Sequence, residues 1–255
     1  MYRENLTSNS KKPLISVIVV TYNAEKSIKR TLESVIKQKY ILYEILIIDG
    51  LSKDKTIEIV EEYKKYIALV VSERDYGIYD AMNKGIKYAT GDIIYFLNAG
   101  DELYDKDVFE KVASEFPADI IYGNVYSEKE NIIYNGEYNK FKLAITNPCH
   151  QAIFYSKKIM NKYGEYNLRY KLFADYEYNI RSFFNKKTKL RYIDIIIASY
   201  DGDGVSKHFD DEIFNLEKGG LIKKYLGVIP YLVYELYRYK VKIYGKNKYS
   251  ISNTR

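Results

Sequence analysis

The stretch ISVIVVTYNA, Ile15–Ala24, decides how this chain folds. Six of the seven residues from Ile15 to Thr21 are β-branched and none is charged. A strand with one wet face alternates apolar and polar residues, whereas a strand covered on both faces reads as a continuous apolar run. This run therefore predicts the central strand of a parallel sheet with helices on both sides. It ends abruptly in the polar group Thr21-Tyr22-Asn23.

Outward from that strand the pattern repeats with short connections. Ala24 to Gln38 predicts a helix with Ile28, Leu32, Val35 and Ile36 on one face, followed by the strand YEILIID, Tyr43–Asp49. Thr56 to Tyr66 predicts a second helix, IALVVSE a third strand (Ile67–Glu73), Tyr79 to Tyr88 a third helix and DIIYFLN a fourth strand (Asp92–Asn98). Alternation at this spacing means βαβ units with right-handed connections. In such sheets ligands bind beyond the carboxyl ends of the strands. There the sequence places Thr21 to Asn23, Asp49-Gly50, Glu73-Arg74-Asp75 and Asn98 to Asp101. Four consecutive polar strand ends on one edge outline a site.

The second half is less regular. ADIIYGNVY and NIIYNG predict an antiparallel pair between Ala118 and Gly136, and HQAIFYS (His150–Ser156) another strand. Phe173 to Phe184 predicts a helix, Leu190 to Tyr200 a strand, and DGDGVS (Asp201–Ser206) a loop before a helix from about Asp210.

Composition narrows the function. With 255 residues, 47% of them apolar, the chain is long enough for one large α/β domain. A single cysteine, Cys149, rules out a disulfide framework, and the first residues lack the apolar core of a signal peptide. The chain thus reads as cytoplasmic. Its thirty tyrosines and absent tryptophan fit a low-GC codon bias. Net charge is +6, but residues 221–255 carry +7 and the rest −1. Basicity confined to a tail argues against a nucleic-acid groove and for a surface that meets something acidic.

Several chemistries are excluded by motif. No G-x-x-x-x-G-K-[ST] and no G-x-G-x-x-G follows the first strand, no G-x-S-x-G supports a serine triad, and one Cys with two distant His residues does not make a zinc site. What remains is rich in oxygen: Asp49, Asp75, Asp80, Asp101 and Asp175, with Asn23 and Asn98. Such donors suit a hard cation, Mg²⁺ or Mn²⁺, and a polyhydroxyl substrate. A cation of this kind completes its shell with water and substrate phosphates.

The segments SVIVVTYNAEKSIKRTLESVIKQ, EILIIDGLSKDKT, SERDYGIYDAMNKGIKYATGDIIYFLNAGD and ADYEYNIR, in this order, resemble a family 2 inverting glycosyltransferase of the GT-A fold, of the kind that builds bacterial surface polysaccharides. The resemblance covers Ile15 to Ser206. It implies that Thr21, Asn23 and Asp49 grip the nucleoside of a nucleotide-sugar donor, UDP-linked, with Glu73, Arg74 and Asp80 completing the pocket. Asn98 would sit at the ribose and metal, with Asp101 as the last metal ligand and His150 near the diphosphate. The motif Asn98-Ala99-Gly100-Asp101 departs from the usual D-x-D-D by two carboxylates, which weakens the expected hold on metal. Asp175 matches the catalytic base, which must take a proton from the acceptor hydroxyl as the glycosidic bond forms.

The residues leave alternatives open. Asp49 can cap its turn, Asp80 can be a solvated helix residue, and His150 a satisfied strand residue. Asp175 can simply favour a helix N-terminus, and Glu177 is the rival base. A chain of this fold with two carboxylates missing could also be a non-catalytic sugar-nucleotide-binding or scaffolding protein. The expected organisation is a domain over residues 13–220, with a donor half (13–125) and an acceptor half (126–220), then a basic, Tyr-rich amphipathic tail over 221–255. Expected partners are the donor and a glycan or lipid-linked acceptor. The tail is expected to rest on an anionic membrane at the inner face of the cell membrane; packing on the domain, or on a second copy in a homodimer, is its alternative.

Overall fold

The computed structural model describes residues 12–134, 136–201 and 210–244. Its sheet is ordered β3-β2-β1-β4-β8-β6-β9-β5, with β7 paired to β6. The strands β1 (Ile15–Thr21), β2 (Tyr43–Asp49), β3 (Leu69–Ser72) and β4 (Ile93–Asn98) are parallel, as the apolar runs predict. All seven residues of β1 are buried. Its alternate side chains feed two cores: Ile18 and Val20 enter one, and Ile15, Val17 and Val19 the other.

Helices cover both faces. The helices α1 (Ile28–Ile36), α2 (Thr56–Glu62) and α4 (Val108–Ser114) supply Leu32, Val60 and Phe109 to one core. The other core takes Met82 from α3 (Ile78–Tyr88) and Tyr178 from α7 (Ala174–Ser182). Gly85 fixes how closely α3 lies on β1, because a Cβ there would sit 2.4 Å from the Ile18 side chain.

The second half adds mixed pairing. The strand β8 (Ile153–Ser156) is antiparallel to both β4 and β6 (Ile120–Ser127), so β6 runs in the direction of β1. The strand β7 (Ile132–Tyr134) pairs antiparallel with β6, as expected between Ala118 and Gly136. The strand β9 (Leu190–Tyr200) has its expected bounds and lies parallel to β6. His150 to Ala152 form a 3-10 turn ahead of β8 instead of its first residues. The helices α4, α5 (Lys140–Ile145) and α6 (Lys157–Tyr163), and the two-residue strand β5 (Glu102–Leu103), are additional to the elements read from sequence.

Tyrosine has a structural use here beyond codon bias. Tyr95, Tyr122, Tyr155 and Tyr178 are fully buried, and each hydroxyl is bonded. The hydroxyl of Tyr95, for example, donates to the Gln151 carbonyl at 2.9 Å and so ties β4 to the 3-10 turn.

The chain closes with α8 (Glu212–Tyr225) and α9 (Val228–Tyr244). Position 220 lies inside α8, and Ile222 and Leu226 belong to the core that contains Tyr178. Position 125 likewise lies inside β6. Most of the DGDGVS loop, residues 202–206, falls outside the described residues.

Candidate active site

Strand β1 has β2 on one side and β4 on the other, so the connections diverge between β1 and β4. A crevice opens at such a switch point beyond the carboxyl ends of the strands. Thr21 ends β1 there, and Asn98 ends β4 one register position away, opposite Val20. Thr21 Oγ1 and Asn98 Oδ1 are both buried without a hydrogen-bond partner. Buried polar atoms are nearly always paired. Two unpaired polar atoms thus lie together at the switch point, where a ligand could satisfy them.

One side of the crevice is built around Asp49. Thr21 and Asp49 are register partners, and the Gly50 N–H donates to the Thr21 carbonyl at 2.9 Å. The Asp49 carboxylate is wholly buried and accepts from Ser52 N at 3.0 Å and from the hydroxyls of Ser52 and Ser72. Ser52 Oγ in turn accepts from Asn23 N at 2.8 Å, and Asn23 Oδ1 accepts from Lys53 N at 2.9 Å. Asn23 has a φ of 48°, the left-handed region that Asn tolerates. Thr21, Asn23 and Asp49 are therefore one bonded unit.

Gly50 is required by the neighbouring loop. A Cβ on it would lie 2.6 Å from Asp75 Oδ2 and 3.3 Å from the Tyr22 ring. The absent side chain lets Asp75 and exposed Tyr22 close over the second strand end.

Lys84 gathers the loop after β3. Its ammonium lies 2.9 Å from Glu73, 3.6 Å from Asp80 and donates to the Arg74 carbonyl at 2.7 Å. Asp80 also accepts from Tyr76 N at 3.1 Å, across the start of α3. Glu73, Arg74 and Asp80 are thus brought together by a lysine that the sequence reading did not single out. Its i,i+4 spacing from Asp80 is the signal that points to it.

The FLNAGD stretch is a clamped turn with a directed carboxylate. Asp101 N donates to the Asn98 carbonyl at 3.0 Å, and Gly100 takes a φ of 112°. Thr31 of α1 braces both sides: its hydroxyl accepts from Gly100 N and donates to the Asp101 carbonyl, each at 2.8 Å. The turn sends the Asp101 side chain inward, 9% exposed, where Oδ2 accepts from Gln151 Nε2 at 3.0 Å. Burial pushes the Asp101 pKa up to about 7, against the lowering effect of the Gln151 bond.

Asn98 also reaches the second half of the chain. Its Nδ2 lies 2.7 Å from His150 Nε2. Burial lowers the His150 pKa, partly opposed by the charge of Asp175, so the ring is neutral at pH 7 and able to act as a ligand. Among the described residues no group of three or more His, Cys, Asp and Glu side chains can hold a metal ion. The donors present are one carboxylate, one unpaired amide oxygen and one imidazole. They fit a hard cation that shares its shell with substrate phosphates, and do not amount to a cage for a cation alone.

Asp175 opens α7 and is held from three directions. The Tyr79 hydroxyl is 2.8 Å from Oδ1, Tyr176 N donates to the same oxygen at 2.8 Å, and Asn147 Nδ2 donates to Oδ2 at 2.8 Å. Asn147 is itself fixed by Asn179 Nδ2 at 2.9 Å, and Asn179 Oδ1 accepts from Tyr155. Burial, reinforced by the Asp175 charge, keeps the Tyr79 hydroxyl protonated. Glu177 differs in kind. It pairs with Arg181 at 3.0 Å, whose guanidinium also donates to the Tyr163 and Glu165 carbonyls. Burial raises the Glu177 pKa against the pull of Arg181. Tyr79, Asn147 and Gln151 went unread in the sequence. Asn147 lies in the loop before the 3-10 turn and Gln151 in that turn, and their only local signal is closeness to His150.

The model of glycosyl transferase family 2 matches residues 16–193. A PGL/p-HBAD biosynthesis glycosyltransferase of Mycobacterium bovis is 35% identical over 200 residues, which are 75% of this chain and 78% of that one. Among solved structures, S. aureus TarS superposes with a TM-score of 0.64 at 18% identity over 84% of this chain, which spans 43% of the TarS chain. The mannosyltransferase PcManGT of Pyrobaculum calidifontis, in complex with GDP-Man and Mn²⁺, gives a TM-score of 0.61 at 14% identity over 92% of this chain and 82% of its own. These likenesses, together with the strand order, establish the GT-A fold. With the family model running from the first strand into β9, the chain belongs to glycosyl transferase family 2 and is a glycosyltransferase.

Proposed function

We propose that the protein transfers a sugar from a UDP-linked donor to a hydroxyl of a glycan or lipid-linked glycan, with inversion at the anomeric carbon. The observation that carries this reading is the meeting of the two halves of the chain. Donor-side groups end β1, β2 and β4, while Asp175 arrives on α7 and is held by Tyr79 of α3. S. aureus TarS has been solved with UDP and with UDP-GlcNAc, which supports a nucleotide-sugar donor.

The roles follow from the chemistry of each group. Thr21, Asn23 and Asp49 bind the nucleoside, and Glu73, Arg74 and Asp80 close its pocket. Asp101, Asn98 and His150 would hold Mg²⁺ or Mn²⁺, which when bound neutralises charge on the departing nucleoside diphosphate. Asp175 accepts the proton of the acceptor hydroxyl as that oxygen attacks the anomeric carbon and the bond to the diphosphate breaks. Tyr79 and Asn147 fix the carboxylate so that a free lone pair faces the acceptor. The acceptor is presented at an anionic membrane surface, which the C-terminal segment meets.

Turnover of Asp175→Asn tests the assignment. The expected result is a loss of at least roughly a hundredfold in sugar transfer, with a small effect from Glu177→Gln after correction for folded fraction. A larger catalytic loss in Glu177→Gln would move the base to that residue.

A further inference from the structure

Helix α9 has two apolar faces. Along one, Pro230 and Tyr234 are buried, and Tyr231 and Tyr234 pack against Gly219 of α8. Along the opposite one, Ile229, Leu232, Leu236, Tyr239 and Ile243 are each between 52% and 67% exposed. Their 3-4-3-4 spacing keeps all five on a single stripe of a helix about 25 Å long. A helix apolar all round is normally covered all round. The domain covers only the inner face.

Charge decides what covers the outer face. Lys240 stands on the stripe itself, four residues from Leu236 and three from Ile243. Lys242 lies at its margin, and Lys223 and Lys224 are exposed at the end of α8. The one acid of residues 221–255, Glu235, is already paired with Arg238 at 3.0 Å. The sequence beyond α9 adds Lys246, Lys248 and Arg255 and no acid. The same spacing would suit a coiled coil with a second copy. Self-pairing would then press together two helices that each carry Arg238, Lys240 and Lys242 against Glu235, with no further carboxylate on the helix to offset them. An anionic surface meets both requirements, taking the apolar side chains below its headgroups while Lys and Arg reach sideways to the phosphates.

We propose that this outer stripe of α9, with its cations, is a docking surface for anionic phospholipid, holding the helix parallel to the membrane plane. It rests on the membrane part of the proposed function and is independent of the donor. No described helix is long and apolar enough to cross a bilayer. Because α8 and the inner face of α9 contribute Ile222, Leu226 and Tyr234 to the core, deleting the segment would damage the fold. Outer-face substitutions avoid that.

The test is co-sedimentation of the full chain with phosphatidylglycerol–phosphatidylcholine vesicles and with phosphatidylcholine vesicles. The expected result is binding to the anionic vesicles alone, released near about 1 M salt, where the screening length falls to about 3 Å. Leu232→Ser/Leu236→Ser and Lys240→Glu/Lys242→Glu should each weaken binding by roughly tenfold or more. Ile41→Ser, which removes an 82%-exposed side chain ahead of β2, should not change it. UDP binding by Leu232→Ser/Leu236→Ser should match the wild type, which separates loss of the membrane site from loss of the donor site. Equal binding to both vesicle types, or insensitivity to both double variants, would overturn the proposal. So would a dimer in solution that Leu232→Ser/Leu236→Ser dissolves while vesicles are ignored.

Discussion

Asp101 sits in an unusual position for a carboxylate: nearly buried, bonded to one amide, and pushed to a pKa of about 7. Burial outweighs the attraction of the Arg30 charge, so the ionised carboxylate costs stability where it lies. Asp101→Asn should therefore leave Tm unchanged or raise it, since Asn can still accept from Gln151. In the presence of Mn²⁺ it should weaken donor binding by at least roughly tenfold, the loss expected when a metal's surroundings are disturbed. Calorimetric titration of UDP with and without Mn²⁺ checks this; equal affinities in both proteins would reduce FLNAGD to a turn. At this scale the sequence was informative about which residues gather and silent about what holds them. Asp49 was legible as a strand-end carboxylate, but its dependence on Ser52 and Ser72 was not. A serine in a loop, like Ser52, or at the end of a strand, like Ser72, carries no periodic signal.

The helices show the same limit one level up. Strands β1, β2 and β4 were legible because their central residues are covered on both faces and so form continuous apolar runs. Helix α7 was found by its position, yet its surroundings were not legible. Eight of its nine residues are buried, including Asp175, Glu177 and Asn179, so it shows no amphipathic stripe to read. The short helices α4, α5 and α6 have at most two turns each, too few to build a convincing period. Helix α8 hides another buried charge. Lys218 lies over the rings of Tyr176 and Tyr234 and points at the Ile145 carbonyl at 3.4 Å. Burial, with Arg238 nearby, lowers its pKa from 10.5 to about 7. Below pH 7 it is charged folded and unfolded, and the cost of burying that charge is fully present. From pH 7 towards 10.5 the unfolded chain binds a proton that the native chain does not, so this residue makes stability rise with pH. Lys218→Met should remove that rise, at most about 1.4 kcal/mol per pH unit, and be the more stable protein below pH 7. Denaturant midpoints at pH 6, 7.5 and 9 decide it; parallel profiles for the two proteins would show that Lys218 stays charged between its tyrosine rings.

Over the whole molecule, the first half was legible as a parallel sheet. In the second half β6, β7, β8 and β9 were found as strands, but the place of β8 between β4 and β6 was not legible, because it runs antiparallel to both and is reached through irregular loops. The strand order places Thr21, Asp49 and Asn98 along one edge. Only the antiparallel insertion of β8 and the 3-10 turn before it bring His150 to Asn98 and Gln151 to Asp101. No local pattern encodes that return. The proposed function divides the labour, with binding assigned to the ends of β1, β2 and β4 and proton transfer to α7. Thermal unfolding of the wild type, Asp49→Asn and Asp175→Asn, each with UDP and Mn²⁺, tests that division most directly. Ligand at a hundredfold excess over Kd adds about 2.7 kcal/mol, a rise in Tm on the order of 5–10 °C for a chain of this size. The account predicts that rise in the wild type and in Asp175→Asn and little or none in Asp49→Asn. No shift in the wild type with any nucleotide, or a loss in Asp175→Asn as large as in Asp49→Asn, would contradict it.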